Sequence, residues 1–158
     1  MRLVFCMALL AFAPEALAQE APAEKRAYFV TAGASRLMDF RDATVNGFNF
    51  GAGMDLFASP YLRGAVRLDT HMFRESGFTV HNMVAVGSLR ALLGSGFARP
   101  YGEVAFGLTT SSGSEVPFGT EMSAGLEWTA GGKTAFLGYT ATSAEEPMQS
   151  LRLGMRIP

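Results

Sequence analysis

The sequence predicts an all-β protein: an eight-stranded antiparallel up-and-down transmembrane β-barrel, preceded by a cleavable signal peptide. The first observation is that large apolar residues alternate with glycine, polar or charged residues along most of the chain, which is the period of a strand with two unlike faces. The second is that turn signals interrupt this alternation at the spacing of antiparallel hairpins. Charged residues make up only 17% of the chain and hydrophobic residues 49%, which excludes a disordered chain.

The N-terminal residues predict export. A continuous apolar run over residues 3–13 is followed by Pro14 and by an Ala-Leu-Ala triplet, the pattern that signal peptidase recognises. These eleven apolar residues are too few to cross a bilayer. We therefore predict a signal peptide over residues 1–18 and a flexible periplasmic lead over residues 19–27. Cys6, the only cysteine, lies in the signal peptide, so the mature chain has no disulfide or thiolate chemistry.

Residues 28–158 are predicted to form the transmembrane barrel domain, because they divide into eight alternating segments with short joins between them. In chain order, the predicted strands span residues 28–38, 44–57, 61–73, 78–92, 97–110, 119–130, 133–142 and 149–157. We expect both chain termini on the periplasmic side. The connections at the opposite end are all short, which argues against a large binding surface built from loops.

Five of these strands carry most of their apolar residues on one face. In chain order, the apolar faces are Phe48, Phe50, Ala52, Met54 and Leu56 in the second strand; Leu62, Val66, Leu68 and Met72 in the third; Val104, Phe106 and Leu108 in the fifth; Met122, Ala124, Leu126 and Trp128 in the sixth; and Leu151, Leu153, Met155 and Ile157 in the eighth. The opposite faces carry glycine, small polar and charged residues. The glycines at alternating positions make room for side chains that face them.

Two turns predict how neighbouring strands pair. A three-residue turn over residues 58–60 and a two-residue turn at Gly131-Gly132 have different lengths, yet both match polar faces with polar faces and apolar with apolar. The predicted pairs are Asp55 with Arg63 and Gly51 with Arg67 across the first turn, and Trp128 with Ala135 and Leu126 with Leu137 across the second.

The fourth strand, residues 78–92, has no consistent pair of faces. Apolar residues from Phe78 to Val86 share one face, but the same parity also includes polar residues and Arg90. Either a bulge shifts the register within this strand, or Arg90 lies at the rim of the barrel and reaches water. The sequence leaves both arrangements open.

Alternation alone does not tell which face points inward. A soluble barrel is apolar inside, whereas a membrane barrel is apolar outside. The polar face is mostly glycine, alanine and serine, and lysine occurs only at Lys25 and Lys133. This composition suits a crowded lumen better than a solubilising surface. We therefore predict that the polar face lines the lumen and that the apolar face contacts lipid.

The predicted lumenal face carries ten ionisable residues, which we expect to form one paired network. They are Asp55, Arg63, Arg67, Asp69, His71, Glu103, Glu121, Glu127, Arg152 and Arg156. Five acids thus face four arginines and one histidine, a nearly neutral set. Because the side chains of an eight-stranded barrel just fill its interior, the strand number argues against an open pore.

Four stretches of the chain resemble the OmpA/OmpX-type small outer-membrane β-barrels of Gram-negative bacteria. They are Phe48-Asn49-Phe50-Gly51-Ala52-Gly53-Met54-Asp55-Leu56, Pro60-Tyr61, Pro100-Tyr101-Gly102-Glu103-Val104-Ala105-Phe106-Gly107 and Leu151-Arg152-Leu153-Gly154-Met155. The resemblance covers residues 28–158 and implies a non-enzymatic, monomeric protein of the cell outer membrane, with a role in envelope structure or surface interaction. Its implied partners are outer-membrane lipid, lipopolysaccharide and the outer-membrane assembly machinery. Family members typically end in an aromatic residue, whereas this chain ends in Ile157-Pro158.

Three further hypotheses about function stay open. His71, Ser76 and His81 suggest an enzyme that deacylates or acylates lipid A, although strand parity predicts that both histidines point into the lumen, away from lipid. The second hypothesis is a narrow pore, and the third is a soluble periplasmic barrel that binds an apolar ligand. The residues predict no metal site and no cofactor. The net charge of −1 gives no basis for binding nucleic acid.

Overall fold

The computed structural model describes residues 27–38, 44–75, 78–111, 118–143 and 147–157. They form eight antiparallel strands that close into a single barrel, because β1 pairs with both β2 and β8. The strands are β1 Tyr28–Met38, β2 Thr44–Ala58, β3 Leu62–Glu75, β4 Phe78–Leu92, β5 Ala98–Ser111, β6 Phe118–Ala130, β7 Lys133–Ser143 and β8 Met148–Ile157. The predicted barrel is confirmed, and every strand ends within two residues of its predicted bounds.

The predicted signal peptide, nearly all of the predicted lead and Ser76 lie outside the described residues. No helix within the described ranges is long and apolar enough to span a bilayer. We call the end of the barrel that holds Tyr28 and Ile157 the terminal end, and the opposite end the loop end.

The wall of the barrel has opposite chemistry on its two sides. On β8, Leu151 and Leu153 are 51% and 54% exposed, whereas Arg152 between them is 4% exposed. The other strands alternate in the same way. Their exposed apolar residues include Phe48, Phe50, Leu68, Leu89, Phe106, Leu108, Met122, Leu126 and Leu137. Apolar side chains therefore cover the outside, and charged side chains line the lumen.

The β2–β3 hairpin departs from the predicted register by two residues. Asp55 pairs with Ala65 and Gly51 with Asp69, in place of Arg63 and Arg67. The turn is longer than predicted, because Ala58 pairs with Arg63 and residues 59–62 lie between them. Within this turn, the Ser59 backbone N–H donates to the Leu62 carbonyl at 2.8 Å. The longer turn by itself would reverse the faces of β3. A bulge in β2 just after Asp55 adds one residue and restores them.

The β6–β7 hairpin has the predicted register. Gly131 and Gly132 have φ values of 57° and 76°, a left-handed conformation that glycine adopts without strain. They form the two-residue turn that the sequence predicts. Leu126 therefore pairs with Leu137, and the other pair predicted across this turn is confirmed as well.

The fourth strand shows neither of the two arrangements that the sequence leaves open. β4 pairs with β3 in one uninterrupted register that places Asn82 beside His71, so its even-numbered residues point into the lumen. Arg90 does not reach water at the rim, since it is only 6% exposed. His81 lies exposed on the outer face. The prediction that both histidines point inward is therefore wrong for His81, because it rests on parity without the β3 register.

Inward glycines make room for aromatic rings, as the alternating pattern predicts. In each case the ring lies over a glycine that is its register partner on the adjacent strand. The pairs are Phe29 with Gly53, Phe73 with Gly47, Tyr101 with Gly125 and Phe136 with Gly154. A side chain at any of these glycines would overlap the ring that covers it.

We expect Gly154→Val to lower the free energy of unfolding by about 1–3 kcal/mol, because the added carbon atoms overlap the Phe136 ring. Urea unfolding of the folded barrel in vesicles measures the change. Gly102→Val is the matched control: Gly102 is exposed and a Cβ there meets nothing within 4 Å, so the change should stay below about 0.5 kcal/mol. Equal losses in both variants would contradict this account of the inward glycines.

Candidate functional site in the lumen

Glu127 on β6 is the centre of the ion pairs at the terminal end of the lumen. Its side chain is completely buried, with 0% exposed. Four arginines from β3, β4, β5 and β8 donate to it. The donors are Arg63 Nη1 at 2.8 Å, Arg90 Nη1 at 3.5 Å, Arg99 Nη2 at 2.9 Å and Arg156 Nη1 at 2.6 Å. Arg156 also donates through Nε to Asp55 at 2.8 Å.

Arg67 on β3 has the opposite arrangement in the middle of the lumen, with one guanidinium among three carboxylates. It donates to Asp69 and Glu121, and its Nη1 donates to Glu103 at 2.8 Å. Arg152 approaches two of the same carboxylates, with nitrogens 3.3 Å from Asp69 and 3.3 Å from Glu121. Charge-assisted hydrogen bonds of this kind satisfy buried ions that water cannot reach.

Arg90 joins these two groups into one network. Its Nε donates to Glu103 at 2.7 Å, while its Nη1 reaches Glu127. The guanidinium also lies over the rings of Tyr101 and Phe136, at 4.0 Å and 4.4 Å from the ring centroids, as in cation–π contacts. The network therefore runs continuously through the lumen and ties together side chains from β2, β3, β4, β5, β6 and β8.

The structure brings nine of the ten sequence-predicted residues into this network and adds two arginines, Arg90 and Arg99. Six arginines thus meet five carboxylates. The signal for Arg99 is present in the sequence, because it shares parity with Glu103 on β5. No such signal exists for Arg90, since its orientation depends on how β4 pairs with β3.

His71, the tenth predicted residue, belongs to a separate polar cluster. Its Nδ1 lies 2.8 Å from the Ser35 hydroxyl, which accepts a hydrogen bond from the Asn49 amide at 2.8 Å. The wall of the barrel separates His71 inside from His81 outside. The two histidines therefore do not meet in one site. The enzyme hypothesis, which combines them with Ser76, requires them to do so.

Two apolar clusters fill the lumen around the ion pairs. The cluster toward the loop end contains Leu37, Phe73, Val84, Val86, Ala105 and Met148, and the cluster toward the terminal end contains Phe29, Ala65, Leu92, Tyr101 and Phe136. A cavity beside Arg67 and Arg152 leaves only about 10 Å³ for water centres, which is room for about one water molecule. Within the described ranges, no group of His, Cys, Asp or Glu side chains could hold a metal ion.

Similar solved structures are small outer-membrane β-barrels. Neisserial surface protein A is 14% identical with a TM-score of 0.75, over 87% of this chain and 99% of that chain. The outer membrane enzyme PagL is 16% identical with a TM-score of 0.56, over 84% and 99%. The N-terminal β-barrel domain of Pseudomonas aeruginosa OprF is 14% identical with a TM-score of 0.56, over 83% and 97%. At these identities the likeness shows the fold alone.

No family model matches the sequence, and no curated protein matches it either.

We expect Glu127→Gln to lower the free energy of unfolding by at least about 3 kcal/mol, because it leaves several buried arginines without their carboxylate. Urea unfolding in vesicles measures this loss. Lys133→Gln also removes one charge, but from an exposed position on the β6–β7 hairpin, and should change the free energy by less than about 0.5 kcal/mol. A Glu127→Gln variant as stable as Lys133→Gln would show that the network contributes little.

Proposed function

We propose that this chain is a non-enzymatic integral protein of the outer membrane, of the OmpA/OmpX type, that contributes to envelope structure or surface interaction. One observation carries the proposal: the barrel exposes its apolar side chains and buries its ions. A soluble barrel that binds an apolar ligand needs the reverse arrangement. In a bilayer, the same apolar surface contacts acyl chains instead of water.

The dimensions of the barrel support a membrane location. Its strands have 10 to 15 residues, and a tilted strand needs about 9–11 residues to cross a bilayer. Exposed aromatic residues lie toward both ends: Phe48 and Phe118 toward the loop end, and Tyr28, Tyr61 and Phe97 toward the terminal end. Aromatic side chains are enriched at the two interfaces of a membrane.

The proposal includes the export route and the partners. A signal peptide over residues 1–18 delivers the chain to the periplasm, and the outer-membrane assembly machinery inserts it among phospholipid and lipopolysaccharide. The closed sheet supports a monomer, because a barrel without a free strand edge needs no second copy to complete its hydrogen bonds. The termini face the periplasm, so the loop end faces outward.

A structural role fits the lumen better than a pore or an enzyme. The two apolar clusters and the ion network occupy the space that a channel needs. One similar structure is an enzyme, so the fold alone leaves catalysis possible. However, His71 and His81 lie on opposite sides of the wall, which separates the groups that the enzyme hypothesis combines.

Fractionation of expressing cells, followed by electrophoresis with and without boiling, tests the proposed location. We expect the protein in the outer-membrane fraction, with an apparent size that changes on boiling because the folded barrel resists detergent until it is heated. A known periplasmic protein in the same cells is the control. Release together with that control, without a change on boiling, would overturn the proposal.

Conductance tests the closed lumen. We expect no discrete conductance steps when the purified protein is inserted into planar bilayers, because apolar clusters and ion pairs fill its interior. Electrophoretic mobility before and after boiling confirms that the inserted sample is folded. Reproducible steps from the folded protein would favour the narrow-pore hypothesis.

A further inference from the structure

Among the residues that the structure describes, the charged side chains on the outer face of the barrel are all basic. Every acidic side chain that the structure describes is in the lumen: Asp55, Asp69, Glu103, Glu121 and Glu127. By contrast, Arg36, Arg74 and Lys133 are exposed on the outer face, as is His81. Lys133 is at the terminal end, whereas both arginines are near the loop end.

The two arginines lie in one row across three neighbouring strands. Arg36 on β1 pairs with Asn46 on β2, and its Nε donates to the Asn46 side-chain oxygen at 3.4 Å. On the other side of β2, Gly47 pairs with Phe73 of β3. Continuing that register by one residue places Asn46 opposite Arg74 on β3. Two strand spacings, about 10 Å, separate the backbones of Arg36 and Arg74.

This row lies where the apolar surface of the barrel ends. Toward the terminal end, the next outward residues are apolar, including Ala34 beside Arg36 and Phe48, which is 66% exposed. Toward the loop end, the exposed Thr44 follows Asn46 on β2, whereas the exposed Thr79 on β4 lies in the row itself, opposite Arg74. In a membrane, the row would therefore lie at the depth of the lipid headgroups, with acyl chains against Phe48.

We propose that Arg36 and Arg74 bind the phosphate groups of lipopolysaccharide, and that Asn46 between them hydrogen bonds to its sugar. The inference rests on the proposed function, which places the loop end in the outer leaflet. Guanidinium groups bind phosphate through paired, charge-assisted hydrogen bonds.

The spacing of the arginines favours lipopolysaccharide over a phospholipid as the occupant. A phosphodiester phospholipid presents one phosphate, whereas the lipid A part of lipopolysaccharide presents two phosphates separated by a disaccharide. Two arginines with an amide between them match two phosphates with a sugar between them. The same lipid supplies acyl chains for the apolar wall below the row.

Binding of purified lipopolysaccharide to the detergent-solubilised, folded mature chain tests this site. We expect Arg36→Gln together with Arg74→Gln to raise the apparent Kd about thirtyfold, from the usual contribution of a surface cation near anionic lipid. Lys133→Gln, which removes an outward cation at the opposite end, should bind as the parent chain does. Lipopolysaccharide stripped of its phosphates should bind the parent chain as weakly as the intact lipid binds the double variant.

Three results would overturn the site: an unchanged Kd in the double variant, an equal loss in Lys133→Gln, or undiminished binding of the stripped lipid. Phosphatidylglycerol that binds the parent chain as tightly as lipopolysaccharide would overturn the choice of lipid. Fractionation and the change on boiling are measured on the same samples. A protein that fails those tests overturns the proposed function, whereas a folded outer-membrane barrel with unchanged binding overturns only the lipid site.

Discussion

The rest of the structure depends on the mutual neutralisation of ions inside a closed wall. An eight-stranded barrel is so narrow that its inward side chains fill it, so each buried ion must be satisfied by another side chain rather than by bulk water. Glu127 and Arg67 show the two complementary solutions, one carboxylate among four arginines and one guanidinium among three carboxylates. Because the whole network, which includes the pair of Arg156 with Asp55 on β2, joins side chains from six strands, it forms only when the barrel is closed.

The narrow lumen also explains the glycines. An aromatic ring that points inward needs space on the adjacent strand, and a glycine at its register partner supplies it. Phe136 is an example: its ring covers Gly154 and also supports the guanidinium of Arg90. Aromatic packing and ion pairing are therefore parts of one interior. The described outer face carries mainly apolar side chains, with basic side chains toward its two ends.

Short joins predicted the antiparallel pairing, and the glycine-rich, lysine-poor composition of the polar face predicted which side points inward. Period-2 alternation was sufficient to predict the strands themselves, because it reports directly which residues share a side of the wall. It could not predict register where turn and bulge lengths compensate, as they do around Ser59 in the β2–β3 hairpin. It also failed on β4, where valines and Arg90 share the lumenal side. In β4, pairing with β3 determines which residues face inward, and the residue types do not. The predicted orientation of His81 is wrong for this reason.

A spin label at Leu126 measures whether the outer face of the barrel contacts lipid. Residues 7–158 contain no cysteine, so Leu126→Cys gives a single labelling site in a chain that lacks the predicted signal peptide. Ala130→Cys near the β6–β7 turn is the control. In vesicles, we expect oxygen, which concentrates in lipid, to relax the Leu126 label more than a water-soluble nickel chelate does. At Ala130 we expect the opposite preference. A Leu126 label that the nickel chelate relaxes as strongly as it relaxes the Ala130 label would contradict the account.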